Sequence, residues 1–256
     1  MSDRRKGSGG RRGSDDVGGI EVEGRRAVLE LLRAGKREVR IVMLSEAVVR
    51  DQIVEAIVAA AGPKLKIVTA EALREVAHTD APQGVVARAD ALPATDLDDL
   101  LANPSAFLVV LDGVTDPRNL GAIVRAAETA GVTGVVMAKH RSAPVSAVAA
   151  KTSAGAIEYV PFALVGGIPA ALDRAKRAGV WCIGLDGDTD TMLDALPFAT
   201  EPLAIVLGAE GSGLSPLTKR RCDALAAIPM HGSIGSLNVA AAAAIVCHEI
   251  ARRRAL

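Results

Sequence analysis

Five polar side chains stand where long apolar runs give out: Asn119 and Arg125 in "DPRNLGAIVRAAETAG", Glu210 at the end of "LAIVLGAE", and Ser236 and Asn238 in "HGSIGSLNVAAAAAIV". Between them they carry two amides, a guanidinium, a carboxylate and a hydroxyl. Each also has a plain structural reading. Asn119 is a good helix N-cap and Gly131 a good stop, which places Arg125 about 9 Å along the intervening helix at ~1.5 Å per residue. Taken locally, Arg125 is then a surface cation. Glu210 is either a solvent-facing turn residue or the partner of a nearby arginine. Ser236 reads as the N-cap of a helix from Leu237 to Arg252, whose terminal arginines suit the helix dipole. Asn238 fits that helix less well, because asparagine is a mediocre helix former, so something there has a use for its amide.

The glycines around these residues match no phosphate cradle. "GAEGSGLSP" lacks the Lys and Ser/Thr of GxxxxGK[ST], and the turn where GxGxxG would stand reads "DGVTDPRNLG". A glycine loop still lets a ligand's flat or apolar part lie against the backbone. His78, His140, His231 and His248 stand far apart, "CHEIARRR" is not HExxH, and no GxSxG is present, so zinc and serine-hydrolase chemistry have no support. Cys182, Cys222 and Cys247 are widely spaced with no CxxC, which indicates reduced thiols and neither a disulfide framework nor a metal site.

These residues are positioned by a regular alternation. From Ala106 onward, apolar strands at "FLVVLDG", "GVTGVVMA", "IEYVPFA", "VWCIGLD", "LAIVLGAE" and "ALAAIPM" alternate with helical segments. That pattern predicts an α/β domain over 106–256 with a mostly parallel sheet, and ligands outside the carboxyl ends of its strands. Before it, helices at Arg25–Arg33, Asp51–Ala61 and from Glu71, with strands at Val39–Leu44, Leu65–Val68 and Gly84–Ala89, make a smaller α/β domain over 20–89. Residues 90–105 read as an acidic, proline-containing linker with one short helix, and residues 1–19 as a disordered basic tail.

Composition agrees. Of 256 residues half are apolar, yet only one Trp, one Tyr and three Phe occur, so the cores are aliphatic, as parallel layers prefer. Acidic and basic residues balance at 30 each, so any nucleic-acid contact must be a local patch. The longest uncharged apolar run, Leu237 to Cys247, is well short of the ~20 residues of a membrane span, and no secretory apolar segment follows the start. A cytoplasmic protein is expected.

Taken together and in order, "NLGAIVRAAETAG", "LAIVLGAEGSGLS" and "IPMHGSIGSLNVAAAAAIV" resemble the three motifs of the SpoU/TrmH-type RNA 2′-O-ribose methyltransferases of the SPOUT superfamily. "EGRRAVLELL" and "HTDAPQGVVA" resemble the opening helix and closing strand of their L30e-like RNA-binding domain. Within the family the best match is the group that methylates a guanosine ribose of 23S ribosomal RNA. The resemblance implies a carboxyl-terminal trefoil knot, a homodimer and S-adenosyl-L-methionine as methyl donor, with no metal. It implies that Gly208, Ile228 and Leu237 meet the adenosyl group through backbone, that Met230 lines the pocket, and that Asn119, Arg125, Glu210, Ser236 and Asn238 form the catalytic cluster. All five are present here. A transfer-RNA or antibiotic-resistance methyltransferase and a non-catalytic RNA-binding or ribosome-assembly factor are the alternatives. The small domain argues against the transfer-RNA type. Gly232 and Gly235 are expected to turn the chain around the cofactor, and Ala240–Ala244 to make a slim helix on which other backbone packs.

Overall fold

Phe107, Val109 and Leu111 alternate with Leu108 and Val110 along one strand, and the two sets enter two different apolar clusters. A strand buried on both faces reads as an unbroken apolar run, and the period of two divides it between the layers. The computed structural model describes residues 16–193 and 199–255. Residues 1–15 of the expected tail lie outside the described residues.

The small domain contains β1 (Asp16–Gly18), β2 (Glu21–Glu23), α1 (Arg25–Ala34), β3 (Val39–Ser45), α2 (Gln52–Ala61), β4 (Leu65–Val68), α3 (Ala70–Val76), β5 (Val85–Ala89) and β6 (Leu92–Pro93). Its four-stranded sheet runs in the order β2-β5-β3-β4, with only the β3–β4 pair parallel. Asp51 caps α2 and Thr69 caps α3, each side chain accepting a backbone N–H from three residues on. Residues 16–18, expected as tail, instead form β1 and pair antiparallel with β6, while Gly18 bridges Val145 of the large domain.

The large domain continues with α4 (Leu97–Leu101), β7 (Phe107–Asp112), α5 (Pro117–Thr129), β8 (Gly134–Ala138), α6 (Ala147–Thr152), β9 (Phe162–Val165) and α7 (Ile168–Arg177). It ends with β10 (Trp181–Leu185), β11 (Leu203–Gly208), α8 (Pro216–Arg221), β12 (Ala224–Ala226) and α9 (Val239–Arg254). Six strands in the order β12-β10-β11-β7-β8-β9 are all parallel. The apolar side chains of α5 and α9 share one sheet face with the small domain, and those of α4 and α7 cover the other. Each fully buried Leu, Ile or Val adds about 1.5–3 kcal/mol.

The strand expected over "IEYVPFA" is shorter. Ala156–Glu158 form a 3-10 turn and only Phe162 onward is strand. Glu158 is withdrawn from the sheet because its carboxylate is used elsewhere. It receives Arg37 Nε on Oε2 at 2.9 Å and Nη2 on Oε1 at 2.5 Å, with the two side chains 1% and 2% exposed. Arg37 also donates to the carbonyls of Gly19 and Asp90. Lys36 donates to the Tyr159 carbonyl, and the Tyr159 hydroxyl donates to Glu30 at 2.6 Å. With apolar residues of both domains in one cluster, this junction fixes the small domain against the large one. At the far end of α9, Arg254 donates to the carbonyls of Ser105, Ala106, Ala199 and Glu201 and lies 4.8 Å over the Phe107 ring.

Candidate active site

A cavity of about 510 Å³ opens at the carboxyl ends of β10, β11 and β12, closed on one side by the start of α9. Its wall includes Gly208, Glu210, Ile228, Met230, Ser236, Leu237 and Asn238, seven of the nine residues singled out from sequence. Gly208 ends β11 against the hairpin-like turn that follows, in which Ala209 and Gly213 exchange backbone hydrogen bonds at 3.0 and 2.9 Å. A Cβ on Gly208 would stand 2.1 Å from the Gly213 carbonyl carbon, so only glycine admits this close approach. Asp112, ending the neighbouring β7, accepts the Ser215 N–H at 2.9 Å and holds the same turn from the other side.

Asn238 is the centre of the polar network. Its side-chain oxygen accepts the N–H groups of Ala240 at 2.9 Å and Ala241 at 3.4 Å, capping α9. Its amide nitrogen donates to Asn119 Oδ1 at 3.1 Å and to Glu210 Oε1 at 2.6 Å. Both halves of one amide are therefore committed, one to the helix and one to joining α5, the turn after β11 and α9. The bond to Glu210 is charge-assisted and short, as expected for a carboxylate acceptor. Asn119 is buried at 8% exposure and reaches the cavity only through Asn238.

Several local assignments change. The N-cap of α5 is Asp116, whose carboxylate accepts the Arg118 N–H, with Pro117 in the first turn. Asn119 is helical and faces inward, so its amide is free for Asn238. Gly131 does end α5: at φ +75° it follows Ala130, and Gly131 and Val132 donate to Glu128 and Ala127, closing a Schellman turn. Ser236 is exposed and is not a cap, because α9 begins at Val239 and Asn238 takes that place. Gly232 and Gly235 have no left-handed backbone, and nothing stands within 4 Å of a Cβ built on either, so the turn does not require glycine there. Of the alanine run, Ala243 is buried and Ala242 lines the cavity.

Arg125 is the residue that this one chain does not bring to the cavity. It lies two turns into α5, exposed, and among the described residues its guanidinium has neither hydrogen-bond nor ion-pair partner. Six residues at 100° each also place it on a different face of α5 from Asn119, at roughly 240° of rotation.

One charged wall residue was missed. Asp186 follows β10 and is paired with Lys219. Partial burial works against its charge, but the Lys219 ammonium and the Asp188 N–H outweigh that and hold the carboxyl below the usual carboxylate range. The available signal was its place after the apolar run "VWCIGL", at the same sheet edge as Glu210. Burial pushes the thiols of Cys182, Cys222 and Cys247 up to about 12, so none is a thiolate nucleophile near neutral pH. Among the described residues no cluster of His, Cys, Asp and Glu could hold a metal ion.

Known proteins resemble this chain in sequence and in fold. Residues 106–248 match the model of the SpoU rRNA Methylase family, and residues 22–94 match the model described as RNA 2′-O ribose methyltransferase substrate binding. An uncharacterized tRNA/rRNA methyltransferase of Mycobacterium leprae is 40% identical over 241 residues, 92% of this chain and 78% of that one. The 23S rRNA (guanosine-2′-O-)-methyltransferase RlmB of Xylella fastidiosa is 38% identical over 245 residues, 94% of each chain. The crystal structure of the SpoU methyltransferase AviRb from Streptomyces viridochromogenes, in complex with the cofactor AdoMet, superposes with a TM-score of 0.78 at 27% identity, covering 92% of this chain and 90% of that one.

Proposed function

Since the chain belongs to the SpoU rRNA methylase family, we propose that it methylates the ribose 2′-hydroxyl of a guanosine in 23S ribosomal RNA, using S-adenosylmethionine. The observation that carries the reading is the cavity with the Asn119–Asn238–Glu210 network at its edge. The residues suit the cofactor. About 510 Å³ is within the usual range for small-molecule sites, Leu185, Leu207, Ile228 and Leu237 offer apolar walls, and the carboxylates of Asp186 and Glu210 face a cationic ligand.

Bound there, S-adenosylmethionine supplies an electrophilic methyl group on a sulfonium. That carbon would be open to in-line attack by the ribose 2′-oxygen, with the hydroxyl proton passing to solvent and the neutral thioether leaving. What the chain contributes is position and charge. Asn119 and Asn238 hold each other and Glu210 in one orientation, leaving Ser236 free to meet the ribose. Gly208, Ile228, Met230 and Leu237 shape the cofactor's bed. Arg125 holds a substrate phosphate and, being permanently cationic, stabilises the developing alkoxide rather than acting as a base.

The chain acts as a homodimer in the cytoplasm, and Arg125 serves the partner's cavity. Its exposed, unpartnered place outside its own cavity supports this, as do the exposed apolar side chains of Met230 (40%), Ile234 (72%) and Ile245 (43%) around the start and middle of α9. Mixed dimers of Arg125→Ala and Asn238→Ala chains should regain one working site per dimer, although each variant alone is reduced by roughly 10²–10⁴-fold. Mixed dimers as inactive as the parents would place Arg125 in its own site. For the reaction itself, ribose methylation mapped across 23S ribosomal RNA from a strain lacking the gene should lose one guanosine signal. An unchanged map would overturn the assignment.

A further inference from the structure

We propose that Arg118 and Arg141 form a phosphate rail that guides the RNA strand from the small domain to the methyl-transfer cavity, an inference that rests on the RNA methyltransferase reading above. Placement comes first. The sheet order sets the loops after β11, β7 and β8 side by side, with neighbouring strands ~4.8 Å apart. Backbone and side-chain bonds tie these loops into one edge: Ser215 N–H to Asp112, then Ala143 N–H to the Val114 carbonyl at 2.8 Å. The next link reaches the small domain, where Gly18 bridges Val145. Residues 139–145 therefore lie along the edge between the small domain and the cavity, in the path of an RNA that runs along that edge from one to the other.

Charge comes second. Arg118 and Arg141 are exposed and have no ion-pair partner among the described residues, whereas Arg25, Arg33, Arg37 and Arg174 are paired with carboxylates. The acid closest in sequence, Asp116, is committed to capping α5 through the Arg118 N–H. The chain has no net charge, so local clusters of free cations decide where a polyanion settles.

Third, the loop carries two irregularities. Arg141 is held at φ +64°, a left-handed backbone that glycine adopts freely and arginine does not. Strain retained at a position where glycine would relieve it points to use of the side chain. The adjacent Ser142 hydroxyl is sealed from solvent and has no hydrogen-bond partner among the described residues.

The test is anisotropy of a labelled 23S RNA fragment titrated with the full chain at several salt concentrations, alongside calorimetry with S-adenosylmethionine and thermal melting. For the Arg118→Gln/Arg141→Gly double variant, RNA affinity should fall roughly ten-fold. The slope of log affinity against log salt should shrink by about 1.4, near 0.7 for each lost single-strand contact. Cofactor affinity and melting temperature should hold, and Arg141→Gly alone should weaken RNA binding with no loss of melting temperature. Unchanged affinity and slope, with wild type binding RNA, would overturn the rail and leave the methyltransferase reading intact. Parallel losses of cofactor binding or melting temperature would also overturn it, since the arginines would then be structural. A wild type that binds cofactor but no RNA would overturn both.

Discussion

At the domain junction, the side chains of Arg37 and Glu158 are no more than 2% exposed and bonded on both sides of the contact. Over the cavity, by contrast, the ten residues from Pro229 to Asn238 are all exposed, Ile234 at 72%. The two regions lie in one chain and differ in what completes them. The junction is finished by the chain itself, with buried charges that have every partner they need. The cavity loop leaves Met230, Ile234 and Leu237 in solvent and Ser236 without a cap to make, so its remaining contacts must come from ligand or partner. A buried, fully bonded frame holds the small domain, and the exposed segment is the one with contacts left to make.

The largest way to break this contrast is at the junction. Glu158→Ala leaves Arg37 buried without a counter-ion and should cost about 3–5 kcal/mol of unfolding free energy in urea titration. Adding Arg37→Met should recover part of that loss, because two apolar groups can fill the space without desolvated charge. A double variant no better than the single would show that the bonds to Gly19 and Asp90 matter more than the ion pair. A smaller effect is expected at Asn238, where two functions can be separated. Asn238→Ala removes the α9 cap, worth about 1 kcal/mol, and the network together. Asn238→Asp keeps the cap but sets a carboxylate against Glu210, so at neutral pH methylation is lost and melting falls through like-charge repulsion. Like charges so close raise one carboxyl pKa, and the sign follows: both should recover in part as pH drops and the pair shares a proton. The smallest effect belongs to the loop. Gly232→Ala meets no atom and relieves no left-handed turn, so stability should change by less than about 0.5 kcal/mol. Its reading is the calorimetric affinity for S-adenosylmethionine, and an unchanged value would mean that the cofactor does not draw the loop inward at that position.

How much of this could be seen in the sequence depended on how local the cause was. β7 and β11 were legible because strands covered on both faces leave unbroken apolar runs. The end of α5 was legible because Gly131 alone supplies the left-handed turn. Caps were harder. "DPRN" offers two candidates, and Asp116 wins because Pro117 fits the first helical turn, which leaves Asn119 for tertiary use. "SLN" likewise offers Ser236 and Asn238. The choice is made by Asn119, 119 residues away, and by Glu210, 28 away, neither of which a helix rule can see. Glu158 looked like an alternating strand residue, and its true partner stands 121 positions earlier. β1 was hidden by a polar, glycine-rich neighbourhood and owes its strand to pairing with β6.

The contacts of Arg254 have a consequence in time. Its guanidinium reaches the Ala106 carbonyl, 148 positions earlier in the chain, just before β7 begins. At 5–20 residues per second of synthesis, between about 7 and 30 seconds separate the making of those two groups. Through that interval the central strand of the large domain exists without the helix that closes over its first residue. Parallel strands also wait for distant neighbours. The small domain, whose sheet partners lie within its own first 90 residues, has no such delay. A nascent chain should thus show an early-folded small domain followed by a late, single closing step, and chaperone demand should concentrate in the gap between them.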